Sequence, residues 1–313
     1  MGVQVMANKV AVLGSINVDT TYHVERFPEP GETIQARGKS SAPGGKGANQ
    51  AVAAARSGAQ TYFFGMVGND SEGQYMKETL AEDRINTDFI GVDNLHGTGT
   101  ALVTLDSNGQ NDIMVFGGSN QFMTVGVLDG SDQVFDQIDF LITQFETPQE
   151  VALAAFKKAK QAGVITILNP APASEIMPAL LQYTDVISPN EIESALLTGI
   201  KITDEDSLIQ TANYFRDQGV ATTLITLGEK GVFYSTNEQQ GLVPAFTVKA
   251  LDTTAAGDTF IGALASQLAT DFSNIKSSIV YAQRASSLAV QKAGALPSIP
   301  TGDEIKQALA QGD

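Results

Sequence analysis

Short apolar runs that end in glycine or a small polar residue recur along the chain, and stretches of helical period stand between them. The first, Val10-Ala-Val-Leu before Gly14, reads as a buried strand. A second runs over 59–68 and closes on Gly68; Asn69-Asp70-Ser71-Glu72-Gly73 then caps a helix predicted over 74–83, with a further strand at 87–92. From Phe140 the alternation is regular. Strands are predicted at 140–145, 164–169, 185–188 and 221–226, with helices at 148–162, from Glu191, and at 204–218. Sustained strand–helix alternation makes a parallel sheet with helices packed on it, an α/β architecture. Paired short strands follow at 232–235 and 241–244, and 246–248 reads as a strand end. Helices are predicted from Ile261, over 275–292 and over 303–311.

A different, period-two pattern appears in two places. Pieces at 20–24 and 32–37 flank Pro28-Glu29-Pro30-Gly31 and read as a hairpin-like excursion. Runs at 98–106 and 111–116 flank Ser107-Asn108-Gly109, where Asn-Gly is a hairpin turn signal, and Gly117-Gly118-Ser119-Asn120 follows. Together they predict a small second sheet serving as a lid, with Met114 and Phe116 read as core. No repeat, heptad or linker divides the chain. The expectation is one α/β domain over 1–313, its lid strands drawn from about 17–42 and 97–119.

The 313 residues are 42% hydrophobic and 17% charged, ample for a core. A net charge of −16 argues against a nucleic-acid partner, which needs basic patches, and reads as solubility. It leaves room for an anionic small substrate met by a local positive potential. The absence of cysteine excludes disulfides and thiolate catalysis, and with only His23 and His96 there is little from which to build a histidine-rich zinc site. No long apolar run suggests a membrane span, and Met1-Gly-Val-Gln-Val-Met-Ala lacks the basic start and apolar core of a secretory leader. The cytoplasm is the expected location.

The candidate chemistry centres on 252–260. Ala255-Ala256-Gly257-Asp258 falls on the turn that opens a helix, where small residues leave N–H groups uncovered and Gly257 admits dihedrals forbidden to a side chain. Free N–H groups and the positive helix end form an anion site. Asp258 beside it is either a general base, taking a proton from a hydroxyl that attacks a held phosphorus, or an ordinary first-turn acid. Asn17 and Asp19 alternate with apolar residues and share one side of the chain, which suits sugar hydroxyls or a polar turn. Gly44-Gly45-Lys46-Gly47 opens a small-residue helix without Walker spacing, and Lys46 and Asn49 supply donors. Asn190-x-x-Glu193 suits hydrated Mg²⁺ with phosphates, or a capping box. Thr226-Leu227-Gly228 ends a strand in a turn suited to nucleotide phosphates.

The order of Gly14-Ser15-Ile16-Asn17-Val18-Asp19, Gly44 through Ala51, Asn169-Pro170-Ala171-Pro172, Pro189-Asn190-Glu191 with Glu193, Thr226-Leu227-Gly228, Asp252 through Phe260, and Gly294-Ala295-x-Pro297-Ser298 resembles the ribokinase-like (PfkB) carbohydrate kinases over nearly the whole chain. The resemblance implies a three-layer α/β/α fold with a mainly parallel central sheet and a β-sheet lid. It implies ATP-dependent phosphorylation of D-ribose at O5; the alternatives are another sugar or nucleoside (fructokinase, adenosine kinase or ketodeoxygluconate kinase type) or a non-catalytic sugar-binding regulator. Carried over residue by residue, Asp258 is the base and Ala255, Ala256 and Gly257 the anion hole. Asn17, Asp19, Gly45, Lys46, Asn49 and Glu146 contact the sugar. Asn190, Thr226, Gly228 and Gly257 contact ATP, with Gln283 where an adenine-side contact is expected. Glu193 lies near Mg²⁺, and Asp252, Thr254, Ala289, Gly294 and Ser298 match an activating K⁺ site, partly through backbone oxygens. A homodimer formed through the lid is also implied.

Overall fold

The computed structural model describes residues 7–312; the leader reading rests on Met1 to Met6, which lie outside the described residues. In chain order, β1 (Lys9–Leu13) leads into β2 (Asn17–His23), then β3 (Gly38–Gly44) and helix α1 (Lys46–Arg56). Next come β4 (Gln60–Gly68), α2 (Ser71–Glu82), β5 (Asn86–Asp93), β6 (Gly99–Leu105) and β7 (Asn111–Phe116). The middle of the chain forms α3 (Asp132–Phe135), β8 (Phe140–Thr143), α4 (Gln149–Gln161), β9 (Ile165–Leu168), α5 (Pro178–Leu181), β10 (Val186–Ile187), α6 (Glu191–Thr198) and α7 (Glu205–Asp217). It ends with β11 (Thr222–Thr226), β12 (Val232–Ser235), β13 (Gln240–Val243), α8 (Ala256–Gln267), α9 (Ile275–Ala289) and α10 (Gly302–Gln311).

Nine strands form the central sheet in the order β13-β12-β11-β10-β9-β8-β1-β4-β5. Pairing is parallel from β5 to β11 and antiparallel only at the β11–β12–β13 edge. β1 shows why. Val10 and Val12 pack toward α1, α8 and α9, whereas Ala11 and Leu13 pack toward α4 and Phe215 of α7. All four are fully buried, so the strand reads as a continuous apolar run, the mark of a sheet covered on both faces. The result is the expected three-layer α/β/α arrangement. α1 and α8 lie against each other on one face. A Cβ on Gly262 of α8 would stand 2.3 Å from the Gln50 carbonyl oxygen, so only glycine permits this approach.

β3-β2-β6-β7 make the small second sheet, with β2 antiparallel to β3 and parallel to β6, and β6 antiparallel to β7. Only Gly14-Ser15-Ile16 separate β1 from β2, so the small sheet grows directly out of the middle of the large one.

Several expectations need correction. The second piece of the excursion is not a strand at 32–37. Pairing with β2 runs from His23↔Gly38 to Asn17↔Gly44, and the segment before it is a turn in which the Arg26 guanidinium donates to both Glu32 carboxylate oxygens. Met114 and Phe116 are not core: they are 64% and 59% exposed, because β7 is an edge strand without a covering element. The segment 246–248 is not a strand; β13 stops at Val243 before Pro244, which has no N–H to continue a ladder. The helix predicted from Ile261 already begins at Ala256. The helix predicted to Lys292 ends at Ala289, and the Val290 carbonyl accepts the Leu251 and Asp252 amides instead. No helix among the described residues is long and apolar enough to cross a membrane.

Arg56 at the end of α1 ties the fold's last loop down. Its Nε and Nη2 donate to the two Asp83 carboxylate oxygens at 2.8 and 2.9 Å, and Nη1 donates to the Leu296 and Ile299 carbonyls. Arg56→Met strands a half-buried carboxylate and two carbonyls, so stability should fall by about 2–3 kcal/mol. Urea unfolding reads this as a lower midpoint at unchanged slope; a loss below about 0.5 kcal/mol, the level of an ordinary surface change, would deny the clamp.

Candidate active site

Chain direction reverses on the sheet between β1, which continues to β4 and β5, and β8, which continues to β13. Clefts at such a point collect ligands outside the carboxyl ends of the strands. Here a pocket of about 440 Å³ opens there. It is lined by Asn17 and Asp19 on β2, by Glu146 after β8, and by Asn169 after β9. Asn190 and Thr226 follow at the ends of β10 and β11. The first turns of α1 and α8 complete the floor, and Ala101, Ile113 and Val115 of the small sheet face it.

The turn into α1 takes a backbone conformation that favours glycine. Gly45, its N-cap, sits at φ 92° and ψ 133°, outside the regions open to other residues. This lets the Lys46 amide reach the Glu146 carboxylate at 3.1 Å, which also accepts the Ser15 hydroxyl. Asn17 is fixed by Asn120, whose Nδ2 donates to Asn17 Oδ1 at 2.9 Å and to the Ile16 carbonyl.

At the start of α8 the left-handed residue is Ala255, at φ 60°, not Gly257. Gly257 is ordinary helix; its missing side chain instead leaves open space, with nothing within 4 Å of where a Cβ would stand. The Ala256 amide donates to the Thr253 carbonyl at 3.2 Å, whereas Gly257 and Asp258 sit in the first turn, where amides have no helical carbonyl behind them. The carboxylate of Asp258 is buried, with 6% exposure. Asn49 Nδ2 donates to its Oδ2 at 3.0 Å and Gln50 Nε2 to its Oδ1 at 2.9 Å. Asn49 Oδ1 is buried without a hydrogen-bond partner.

The pocket's charge is one-sided. Lys46 is ringed by carboxylates; Asp258 first, then Glu146 and Glu193, hold its ammonium above the ordinary lysine range against the opposing effect of burial. Burial, with Glu146 nearby, pushes Asp19 up to about 6. Burial also raises Glu193, against the Asn190 amide and Lys46, which lower it. Asn190 and Glu193 form a reciprocal capping box at α6, and both still line the pocket. Among the described residues no three His, Cys, Asp or Glu side chains are grouped to hold a metal ion.

Of the remaining residues singled out from sequence, Lys46, Thr254, Ala255 and Ala256 line the pocket and Gly228 does not. Gln283 is buried away from it, its Nε2 donating to the Val243 carbonyl at 2.9 Å. Asp252 and Gly294 come together beside it. One Asp252 oxygen accepts the Thr254 amide and hydroxyl, the other the Gly294 amide at 2.9 Å. Burial raises the Asp252 carboxyl, but those donors outweigh it and leave the group below its usual range. The Ser298 hydroxyl donates to the Ala295 carbonyl and the Ala289 carbonyl accepts the Lys292 amide. Sequence reasoning missed Asn120, Gln50 and Gln144, whose roles depend on partners about 100 residues away or more.

The site thus places a carboxylate in the first turn of a helix, beside a wall of polar donors and acceptors at the switch point of an α/β sheet. The chain belongs to the pfkB family of carbohydrate kinases, whose pattern matches residues 7–302. Within that family its similar relatives include ribokinases and, at 34% identity, deoxyribokinases of Salmonella. It is 46% identical over 304 residues to the bifunctional ribokinase/ribose-5-phosphate isomerase A of Fructilactobacillus sanfranciscensis, covering 97% of this chain and 56% of that protein. It is 44% identical to the ribokinase of Staphylococcus aureus, covering 96% of this chain and all of the relative. The solved structure of Arabidopsis thaliana ribokinase complexed with ribose and ATP superposes with a TM-score of 0.92 at 32% identity, covering 97% of this chain and 99% of that one.

Proposed function

We propose that this protein transfers the γ-phosphoryl group of ATP to O5 of D-ribose. The observation that carries the reading is Asp258: a buried carboxylate, fixed by two amide donors, in the first turn of α8 and open to the pocket. Asp258 takes the proton of the 5-hydroxyl as that oxygen bonds to the γ-phosphorus and the bond to the ADP oxygen breaks. Amides of the α8 N-terminus receive the charge on the phosphoryl oxygens, and Lys46 adds a positive centre beside them. Asn17, Asp19, Gly45, Asn49 and Glu146 hold the sugar. Asn190, Thr226, Gly228 and Gly257 hold the nucleotide.

The pocket is lined by four carboxylates and one lysine, a balance that repels a polyphosphate and fits a divalent cation arriving with ATP. Mg²⁺ keeps waters and takes one or two carboxylates beside phosphates, so Glu193 fits its neighbourhood; when bound it neutralises phosphate charge. The Asp252–Gly294 junction, with Thr254, Ala289 and Ser298, is the proposed K⁺ site, and it supports the turn that carries Ala255. The consecutive apolar residues Ile113, Met114, Val115 and Phe116, each more than half exposed on an edge strand, suit pairing with a second copy. The cytoplasm, where ATP is supplied, is the proposed place of work.

The deciding test is ADP release from MgATP with ribose, deoxyribose, fructose, adenosine and ketodeoxygluconate, each in K⁺ and in Na⁺. Turnover dependent on ribose and raised by K⁺ is expected. Turnover with another sugar moves the substrate; ribose binding with no turnover at all points to a sugar-binding regulator.

Acidic pH should weaken the sugar site through Asp19. With its carboxyl at about 6, the group is charged at pH 7 and protonated at pH 5. The KM for ribose should rise about tenfold over that interval as the pocket loses a charged acceptor. Because the folded-state value lies above the ordinary one, the same group has the opposite effect on stability. Its contribution is fully present below the unfolded value and is lost as pH rises through about 6. A flat KM from pH 5 to 7 would remove Asp19 from sugar binding.

A further inference from the structure

Behind Asp258 lies a chain of buried amides that touches no ligand position. Gln144, just past β8, donates from Nε2 to Gln50 Oε1 at 2.7 Å. Gln50 donates from its own Nε2 to Asp258 Oδ1 at 2.9 Å and to Asn169 Oδ1 at 3.1 Å. Both glutamines are essentially without solvent exposure, and neither lines the pocket. Gln50 therefore has only one workable amide orientation: its oxygen is claimed by a donor and its nitrogen by two acceptors. The arrangement has required room. A Cβ on Gly14 would stand 2.1 Å from Gln144 Oε1, so the glycine that ends β1 is what admits the Gln144 amide.

We infer that Gln50, held by Gln144, is a positioning residue that fixes the plane of the Asp258 carboxylate for proton abstraction. This rests on the reading of Asp258 as the base. Oδ1 faces the buried Gln50; Oδ2 faces Asn49, which lines the pocket. Oδ2 is thus the oxygen that receives the hydroxyl proton, and Gln50 prevents the carboxylate from rotating it away. An aspartate side chain has broad freedom about its terminal torsion, so a single donor at Oδ2 would leave that angle loosely set. A proton acceptor turned out of line loses rate without losing substrate affinity.

The test compares Gln50→Met and Gln144→Met in the wild-type and Asp258→Asn backgrounds, with ribose and MgATP. Methionine keeps length and volume and removes the amide. Gln50→Met should lower kcat by about 30-fold and Gln144→Met by about 5-fold, with the KM for ribose within about threefold of wild type. Placed on Asp258→Asn, each should change the residual kcat by less than about twofold, because a residue that acts through Asp258 has nothing left to act on. Equal losses in both backgrounds, or an unchanged kcat with only a lower melting temperature, reduce the amide chain to packing between α1 and α8. If Gln50→Met does not fold, Gln144→Met carries the same comparison. Near-normal turnover by Asp258→Asn itself overturns the base reading and this inference with it. An inactivated Asp258→Asn with additive glutamine effects overturns this inference alone.

Discussion

Replacing Asp258 by asparagine should lower kcat about a thousandfold, the scale on which a placed general base contributes. Ribose affinity should stay within a few-fold of wild type. The substitution changes neither size nor shape, and Asn17, Asp19 and Glu146 of the sugar wall make no hydrogen bond to the altered group. What changes is the acceptor. An amide cannot take a proton from a hydroxyl at neutral pH, and it offers one oxygen where the carboxylate offers two. Asn49 Nδ2 and Gln50 Nε2, which now each have an oxygen at 3.0 and 2.9 Å, would compete for that one, and the loser faces an NH₂ group. A stability cost of about 1–3 kcal/mol accompanies the lost turnover. Steady-state ADP release and ribose titration calorimetry separate the two effects. A variant that keeps a tenth of wild-type kcat would show that Asp258 only shapes the pocket.

The second large effect is expected at a residue with no chemistry. Gly45→Ala should weaken ribose binding by about a hundredfold, the scale of losing a hydrogen bond to a charged group in the sugar wall. At φ 92° and ψ 133° a side chain costs roughly 1–3 kcal/mol in strain alone. The new Cβ would also stand 2.8 Å from the Asn17 amide nitrogen, 2.9 Å from the Ser15 carbonyl oxygen and 3.1 Å from the Ile16 Cα. All three are backbone atoms and no rotamer relieves the contact. Either the start of β2 or the start of α1 must move, and these carry Asn17 and Asp19 on one side, Lys46 and Asn49 on the other. Calorimetry with ribose measures the outcome; a dissociation constant within threefold of wild type would mean that the turn adapts without disturbing the wall.

Much of this site is legible from local pattern. The strand–helix alternation after Phe140 gives the parallel sheet because fully buried strands and amphipathic helices have distinct periods. Asn17 and Asp19 share a face because strand geometry forces it. Asn190 and Glu193 form the capping box that their spacing allows. Asp258 is found because an acid in a small-residue helix start is chemically out of place. Other features depend on the partner, which no local window contains. Met114 and Phe116 look like core in sequence, but the strand that carries them has no neighbour on one side. Residues 32–37 have strand composition, yet the register of β3 starts at Gly38. Gln50 reads as a polar residue on a helix until Asp258, 208 positions later, is brought against it. Gln283 stands at a plausible distance along α9, but the Val243 carbonyl takes its amide.

The short passage from β1 into β2 has a kinetic consequence. Three residues separate the strands, and Asn17 and Asp19 belong to the small sheet whereas the first turns of α1 and α8 at the pocket floor pack on the large one, so any movement of the small sheet about this link would carry both side chains with it. Lifting the cover would therefore pull two of the sugar's holders away in the same movement that clears its exit. Were such movement to gate the pocket, product release and the opening of the small sheet would be timed by one event, and a slower opening would show as a lower turnover rate with unchanged chemistry.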